Sequence, residues 1–394
     1  MPKHIYYSIF TFLILLSFSC NNTEINNDVS KNNNNEVKYY GKDFFRIEGT
    51  IISDSLKESP YDRLPLSYKD SVRKPVWDLS KSSAGLSIRF LSNSSTISAK
   101  WEVLNDFKMN HMADTGIKGI DLYFKNENQW QYLATGRPEG FFNEYTLVQN
   151  MNNELREYKI FLPLYDGVKN IEIGIDSTSI IKKSKENLKK PIIFYGTSIT
   201  QGGCATRPGM AHTNIISRNL DIDVVNFGFS GNGRMEQPIA ELISEKEPLF
   251  YVIECMPNML NAENIIETTI PLVNTIKKKN PKTPIIFVDH FDYSFSVLDN
   301  QVMRDTDLMN EALKTEFKKM VDDGYENIFY LESKNALGSD YEGTVDGVHF
   351  TDLGFIRYAD SNDDSEDEGI KEYQVGGYHP VHLGEVLIGR YVIV

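Results

Sequence analysis

A glycine-rich turn that carries a serine is the first place in this chain where the residue types could do chemistry. Ser198 lies just after the apolar run of residues 192–195, in the arrangement Gly196-x-Ser198-(x)3-Gly202. A short apolar run that ends in glycine is typical of a buried strand followed by a sharp turn. Ligands bind at the carboxyl ends of strands in open α/β sheets, so a hydroxyl at this position is a candidate nucleophile.

Two better-known motifs do not fit this turn. A phosphate-binding P-loop ends in Gly-Lys-Ser/Thr, whereas Gly202 is followed by Gly203 and Cys204. The nucleophile elbow of α/β-hydrolases needs a glycine two residues after the serine, and that position holds Thr200. By itself the motif is also compatible with a tight turn in which the Ser198 hydroxyl only caps the backbone.

An Asp-x-x-His pair near the end of the chain could supply the base for such a serine. Asp346 precedes His349 by three residues, across Gly347. A histidine can take a proton near neutral pH, and a carboxylate that folds back on the ring would fix its tautomer. His379 is a rival base, but Gly376 stands where an acid would be needed. No third ligand is evident beside Asp346 and His349, so we expect neither a metal ion nor a cofactor.

Two loops between these positions could donate hydrogen bonds to an oxyanion. Gly231 lies in a glycine-rich stretch after the second strand candidate of this half, and Asn258 follows the third. A backbone amide and a neutral side-chain amide at strand ends are suitable donors. Taken singly, each has a simpler explanation, a plain turn around Gly231 and a loop-capping role for Asn258. Arg207 and Arg304 are expected to be solvated surface positions, with orientation of a substrate as the alternative.

These residues must be positioned by a domain in which strands and helices alternate. Strand candidates are residues 192–195, 223–226, 249–254, 284–289 and 327–331. Helix candidates are residues 211–219, 238–246, 263–279 and 305–323. This alternation predicts a parallel sheet with helices on both faces, a flavodoxin-like three-layer α/β domain whose reactive edge collects the loops after the strands.

The preceding part of the chain has a different period. Residues 86–91, 96–101, 120–124, 130–133 and 171–175 alternate apolar and polar side chains, as half-buried strands do. We therefore predict an all-β sandwich domain over residues 39–184, without amphipathic helices. The lysine-rich stretch 181–190 marks the boundary, and the α/β domain is predicted over residues 190–394, with an acidic insertion at about 360–370.

The order Ser, Gly, Asn, Asp-x-x-His resembles the motif blocks of the SGNH (GDSL-type) hydrolase superfamily, over residues 192 to about 359. Residues 119–123, Gly-Ile-Asp-Leu-Tyr, with residues 110–116 before them, resemble the signature of the GxDLY domain that precedes one group of these enzymes. The stretches 61–65 and 158–174 are similar to the same domain.

The resemblance implies a role for each motif residue. Ser198 would be the nucleophile, and Asp346 and His349 would complete the triad. Gly231, Asn258 and the Ser198 amide would form the oxyanion hole. The sequence departs from the family pattern at Met259, where an acid often follows the asparagine, and this change concerns the pocket rather than the amide.

The N-terminus predicts export. Lys3 and His4 precede an apolar run over residues 9–16, which is shorter than the roughly 20 residues of a membrane-spanning helix. Residues 16–20 resemble a lipobox, with Ser17 in place of the usual aliphatic residue, so we predict a signal peptide over residues 1–20 and lipidation of Cys20. Simple cleavage or an uncleaved anchor are the alternatives. Residues 21–38 are rich in Asn and have few apolar side chains, and they predict a disordered tether.

Charge and cysteines limit the partners. The formal net charge of -14 disfavours nucleic acid and anionic membrane surfaces as partners. Beyond Cys20, only Cys204 and Cys255 remain, either as a disulfide or, preferably, as two buried thiols.

Together these features predict an exported, lipid-anchored serine esterase. The resemblance and the surface location imply removal of acetyl or other small acyl groups from a glycan. A lipid or thioester acyl hydrolase is one alternative, and a non-catalytic glycan-binding lipoprotein is another. The sequence does not determine the oligomeric state.

Overall fold

The computed structural model describes residues 36–360. The predicted signal peptide, Cys20, nearly all of the tether, the acidic stretch and His379 lie outside the described residues, so those interpretations stay predictions. Between residues 36 and 360, every helix is too short or too polar to cross a lipid bilayer.

The described chain begins with β-strands and continues with alternating strands and helices. The strands are β1 (Val37–Tyr40), β2 (Arg46–Glu48), β3 (Ser87–Ser92), β4 (Ile97–Val103), β5 (Ile120–Asn126), β6 (Gln129–Gly136), β7 (Phe142–Val148), β8 (Arg156–Phe161), β9 (Val168–Asp176), β10 (Ile181–Lys183), β11 (Ile192–Gly196), β12 (Val224–Gly228), β13 (Tyr251–Glu254), β14 (Ile285–Val288) and β15 (Ile328–Leu331). The helices are α1 (Lys74–Leu79), α2 (Asp114–Ile117), α3 (Ser198–Gln201), α4 (His212–Leu220), α5 (Gln237–Ser244), α6 (Ala262–Lys279), α7 (Asn300–Asp322) and α8 (Asp352–Asp360).

Strands β1 to β10 form two antiparallel sheets that pack face to face. One sheet has the order β1-β9-β4-β7, and the other has the order β10-β3-β8-β5-β6 with β2 paired to β3. Ile97, Ala99 and Trp101 alternate along β4 and are buried between the sheets, as the period of two requires. The predicted β-sandwich is confirmed, although the short helices α1 and α2, which the sequence analysis did not predict, interrupt its connections.

Strands β11 to β15 form a parallel sheet in the order β12-β11-β13-β14-β15. Ile193 and Tyr195 of β11 face one apolar core, while Ile192 and Phe194 face the other. A strand buried on both faces reads as a continuous apolar run because helices cover both sides of the sheet. The predicted flavodoxin-like three-layer architecture is confirmed.

Helix α7 differs from its predicted start. It begins at Asn300 rather than at residue 305, because the Asp299 side chain accepts hydrogen bonds from the amides of Gln301 and Val302, both at 3.1 Å. An aspartate in this position satisfies amides that have no partner within the helix. Residues 300–304 bury no side chain, so no apolar core-facing stripe marked this start.

The chain between β2 and β3 packs against the α/β domain. Val76 and Trp77 of α1 join the core on the Ile193 face of the parallel sheet. The buried Arg63 guanidinium donates to the carbonyls of Asn226, at 3.2 Å, and Gly228, at 2.6 Å, near the end of β12. Burial lowers the pKa of Arg63 to about 9. The β region therefore contacts the edge of the sheet from which the glycine-rich loop departs.

Residues 119–123 form a second contact between the two regions. Arg207 Nη1 donates to Asp121 Oδ2 at 2.8 Å and to the Tyr123 hydroxyl at 2.7 Å. The Gly209 amide donates to the same Asp121 oxygen at 2.7 Å. The expectation that Arg207 is a solvated surface residue is wrong, because a fully buried carboxylate 86 positions earlier in the chain needs it as a partner.

We expect Arg207→Met to lower the free energy of unfolding by roughly 3 kcal/mol, because it leaves the buried Asp121 carboxylate without its cation. Arg304→Met is the matched control, since Arg304 lies exposed on α7 and bonds only to Gln301 among the described residues. Urea unfolding followed by circular dichroism measures both. Equal stability of the two variants would show that the Asp121–Arg207 pair does not hold the regions together.

Candidate active site

The turn after β11 places Ser198 at the first position of α3. Thr197 caps this short helix, because its side chain accepts from the Ile199 amide while Thr200 Oγ1 accepts from the Thr197 amide. A Cβ on Gly196 would lie 1.9 Å from Thr200 Oγ1, so glycine is required there. Gly202 ends the helix at a φ of +102°, which side chains disfavour. The glycines of the motif thus hold Ser198 in a turn that other residues could not form.

His349 lies between Ser198 and Asp346. Its Nε2 is 3.0 Å from Ser198 Oγ, and its Nδ1 is 2.8 Å from Asp346 Oδ2. An ionised carboxylate can only accept a hydrogen bond, so Nδ1 carries the proton and Nε2 offers its lone pair to the serine hydroxyl. The structure thus brings together three side chains separated by as many as 151 positions.

The loop of residues 343–351 fixes the Asp346 carboxylate. Its Oδ1 accepts from the amides of Val348, at 3.0 Å, and His349, at 2.7 Å. Partial burial raises the pKa of Asp346, but these amides and the His349 ring outweigh it and hold the pKa below its ordinary value. Gly347, at a φ of +88°, makes the tight turn between acid and base. Asp346 is therefore ionised at neutral pH.

The two candidate oxyanion donors flank the serine turn. Gly231 follows β12 and Asn258 follows β13, and these strands pair with β11 on opposite sides. Asn258 Oδ1 accepts from the Gly233 amide at 3.2 Å, and within residues 36–360 no protein group binds its Nδ2. This arrangement leaves the donor end of the amide available. The loop after β12 is also joined to the serine turn, since the Phe229 amide donates to the Gly196 carbonyl at 3.0 Å.

Met259, the departure from the family pattern, is buried in the core on the Ile193 face. Its side chain therefore packs inside the domain. The substitution leaves the position of the Asn258 amide to the backbone turn of residues 256–258.

A buried polar cluster that the sequence analysis missed lies behind the serine turn. The Glu254 carboxylate accepts from Thr200 Oγ1 at 2.7 Å, from His212 Nε2 at 3.1 Å and from the Tyr358 hydroxyl at 3.1 Å. Burial, with Glu254 beside it, raises the pKa of Tyr358 well above its ordinary value. A glutamate at the end of an otherwise apolar strand was the available signal, because such a charge needs buried partners.

The β region supplies two side chains to the edge that carries Ser198. The Tyr165 hydroxyl donates to the Ser198 carbonyl at 3.5 Å. The His111 ring lies 5.7 Å from the His349 ring, centroid to centroid. The backbone approaches closely here, because a Cβ on Gly116 would lie 2.1 Å from the Ala205 carbonyl oxygen. Neither Tyr165 nor His111 was predicted at the site from the sequence.

Both described cysteines are free and buried, so the disulfide alternative is excluded for Cys204 and Cys255. Burial, and to a lesser extent the Asp346 charge, raises the pKa of Cys204 to about 12. The thiol is therefore protonated and weakly nucleophilic at neutral pH. Cys255 Sγ instead donates to the Tyr195 carbonyl at 3.6 Å, inside the sheet.

An aromatic loop borders the Asp346–His349 turn. Tyr293 and Phe295 stack with ring centroids 5.4 Å apart, and a Cβ on Gly347 would lie 2.8 Å from Phe295. The Ser294 amide donates to the Gly347 carbonyl at 3.0 Å. Further along, Val297 and Leu298 are exposed. Phe295, Val297 and Leu298 thus expose one aromatic and two aliphatic side chains on this edge of the molecule.

Comparison with known proteins identifies the family. The model of the GDSL-like lipase/acylhydrolase family matches residues 189–365, and a model of the GxDLY domain, described as the N-terminus of SGNH-hydrolase-type esterases, matches residues 37–181. A solved structure from Bacteroides ovatus ATCC 8483, described as a GDSL-like lipase, is 33% identical, covers 82% of this chain and 94% of its own, and superposes with a TM-score of 0.78. This chain belongs to the GDSL-like lipase/acylhydrolase family. It is a carboxylic ester hydrolase, as the sequence analysis predicted.

More distant structures share the fold. A family two carbohydrate esterase from Cellvibrio japonicus is 12% identical, covers 82% of this chain and 95% of its own, and has a TM-score of 0.53. An acetyl xylan esterase from Butyrivibrio proteoclasticus is 12% identical, covers 82% and 96%, and has a TM-score of 0.52. At this identity the likeness concerns the fold alone. A search of curated proteins found no match.

We expect Glu254→Gln to lower the free energy of unfolding by about 1–3 kcal/mol, because an amide nitrogen cannot accept the hydrogen bonds that the carboxylate accepts. Glu267→Gln, on the exposed face of α6, is the control and should change stability by less than about 0.5 kcal/mol. Denaturant unfolding measures both. If Glu254→Gln is as stable as its control, the hydrogen bonds to the Glu254 carboxylate do not stabilise the fold.

Proposed function

We propose that Ser198 is the nucleophile of this ester hydrolase and that His349 and Asp346 activate it. The hydrogen bonds from Ser198 Oγ to His349 Nε2 and from His349 Nδ1 to Asp346 Oδ2 carry this proposal. The hydroxyl oxygen attacks the ester carbonyl while its proton passes to Nε2. Asp346 stays ionised and stabilises the resulting imidazolium.

The negative charge of the tetrahedral intermediate falls on the carbonyl oxygen. We assign its hydrogen-bond donors to the backbone amides of Ser198 and Gly231 and to Asn258 Nδ2. The position of their loops on both sides of β11 and the fixed Oδ1 of Asn258 support this assignment. The Nε2 proton then passes to the departing alcohol, which leaves an acyl-enzyme on Ser198. Water, activated by His349, attacks this ester and regenerates the serine.

We further propose that the substrate is a glycan bearing acetyl or other small acyl groups. The stacked Tyr293 and Phe295 beside the catalytic loop support this, because sugar rings pack against aromatic faces. The exposed aliphatic side chains of Val297 and Leu298 favour a second candidate, a hydrolase of longer acyl chains. Membership of the enzyme family argues against the third candidate, a non-catalytic glycan-binding lipoprotein.

The substrate candidates differ in their dependence on acyl length. For a glycan deacetylase, kcat/KM is highest with acetylated oligosaccharides and falls from acetyl to octanoyl among p-nitrophenyl esters. A lipid or thioester hydrolase shows the opposite trend among the same esters. Measuring both series with one enzyme preparation separates them.

Ser198→Ala should lower the hydrolysis of a p-nitrophenyl ester by roughly 10⁴-fold or more, because it removes the nucleophile. Asn258→Ala should lower it by roughly 10²–10³-fold, since one oxyanion donor is lost. Steady-state kinetics on purified protein measures both. The exposed Asn300→Ala change, at the start of α7, is the control for the asparagine substitution. Wild-type activity in Ser198→Ala would falsify the proposed nucleophile.

We propose that the enzyme is exported and held on a bacterial membrane by a lipid on Cys20, as the apolar run over residues 9–16 and the adjoining cysteine indicate. Cys20→Ala should move the protein from the membrane fraction to the soluble fraction and abolish incorporation of labelled palmitate. Cys204→Ala is the matched control. Unchanged palmitate labelling of Cys20→Ala would exclude this attachment site.

A further inference from the structure

Four potential metal ligands meet at the edge of the domain that carries the proposed triad. His111, Cys204, Asp346 and His349 each place one ligand atom so that all of these atoms lie within 4.8 Å of one another. From the sequence we expected no metal site, because no third ligand was evident beside Asp346 and His349. The fold provides two, one of them from the β region, and this removes the basis of that expectation.

The ligand types match a borderline-soft divalent cation. Two imidazoles, a thiol and a carboxylate are the groups that bind Zn²⁺, whereas Ca²⁺ and Mg²⁺ prefer six or more oxygen ligands. Bonds of about 2.0–2.3 Å to a tetrahedral ion correspond to separations of about 3.3–3.8 Å between ligand atoms. Separations of at most 4.8 Å between ligand atoms need to shorten by no more than about 1–1.5 Å.

One ring nitrogen of His111 is hydrogen-bonded to a neighbouring side chain. Its Nδ1 is 2.8 Å from Asn110 Oδ1, an atom that only accepts hydrogen bonds. The proton therefore lies on Nδ1, and Nε2 has a free lone pair. A hydrogen bond from the second ring nitrogen to a neighbouring acceptor is typical of histidines that bind metal ions.

Cys204 is the buried ligand of the cluster, whereas Asp346 and His349 lie closer to solvent. Cys204 has a φ of +72°, which is rare for a side chain with a Cβ, and its thiol is buried. Asp346 and His349 are partly exposed, with side-chain exposures of 35% and 23%, so an ion can enter from solvent. The proposed mechanism uses neither Cys204 nor His111.

We propose that this cluster binds one Zn²⁺ ion and that the ion reversibly inhibits the esterase. On binding, the Cys204 thiol releases its proton to solvent and coordinates as the thiolate. Coordination through His349 Nε2 occupies the lone pair that accepts the serine proton. Coordination through Nδ1 breaks the hydrogen bond to Asp346, and the displaced Nδ1 proton moves to Nε2, which can then no longer accept the serine proton. In either case the free enzyme and the zinc-bound enzyme differ in activity, and the inhibition rests on the proposed function of His349.

Binding is tested first in the Ser198→Ala protein, so that it does not depend on catalysis. Titration with Co²⁺ should give a thiolate-to-cobalt absorption band at a stoichiometry of one ion per chain, and Zn²⁺ should displace the Co²⁺. Adding Cys204→Ser should abolish the band, and adding His111→Gln should weaken Zn²⁺ binding by about tenfold or more. Cys255→Ser is the matched control, because that thiol lies inside the sheet and should leave the band unchanged.

Inhibition is tested in the protein with Ser198 intact. Zn²⁺ should lower the hydrolysis of an acetyl ester by at least about tenfold, and a chelator should restore it. In Cys204→Ser the Zn²⁺ concentration for half-inhibition, relative to the metal-free rate of that variant, should rise by about tenfold or more.

Several results would overturn the inference. A cobalt band that persists without Cys204, no ion binding to the Ser198→Ala protein, or ion binding without inhibition of an active enzyme would each do so. An enzyme that hydrolyses no ester while its Ser198→Ala form still binds the ion through Cys204 would instead contradict the proposed function and leave the metal site standing. Circular dichroism of each variant checks that it is folded.

Discussion

Parallel pairing of β11 with β12 on one side and β13 on the other is the constraint on which the site depends. Gly196 lies opposite Gly228 and opposite Glu254 in the two ladders, so all three strands end at one level. The serine turn, the glycine-rich loop and the Asn258 turn must then leave the sheet side by side. Each loop alone is an ordinary turn, and their shared origin turns them into one surface. This is the general reason that open α/β sheets bind ligands at this edge.

Hydrogen bonds from two regions outside its own loop hold the serine turn in place. Glu254 lies under it and accepts hydrogen bonds from three side chains that come from different parts of the chain. A buried carboxylate is costly unless it is fully hydrogen-bonded, so this cluster holds the strand end and α3 in one relative position. Tyr165 of the β region contacts the Ser198 carbonyl. The position of the hydroxyl is therefore set by packing that extends well beyond its own loop.

The β region takes part in the site. Arg63 bonds to carbonyls at the end of β12, and Asp121 bonds to Arg207 and to the Gly209 amide. These contacts bring the loop with His111 beside His349. The signature of residues 119–123 thus has a structural role, because Asp121 and Tyr123 connect the two regions. A domain that contributes none of the proposed triad residues thus lies against the loops that carry them.

Local physics made a large part of this protein predictable from its sequence. The change from a period of two to alternating strands and helices predicted the β-sandwich and the α/β domain, because the spacing of apolar residues shows which side chains face the core. The glycines around Ser198 and the spacing of Asp346 and His349 indicated a turn and a folded-back pair, since both are set by a few neighbouring residues. The family resemblance added the interpretation of Gly231 and Asn258.

Only the tertiary structure decided which distant groups become partners. Asp121 and Arg207 are 86 positions apart, and Glu254 and Tyr358 are 104 apart. The periodicity shows that such residues lie on a buried face or at a strand end, but the same signal fits many partners. Arg207 looked like a surface residue, and His111 looked unrelated to the proposed triad, for this reason. The sequence by itself determined the elements, the serine turn and the Asp-x-x-His pair. Packing of the sandwich against the parallel sheet decided what surrounds them. A buried charge or a free lone pair interacts with the groups that the fold brings close to it, and sequence separation does not show which groups these are.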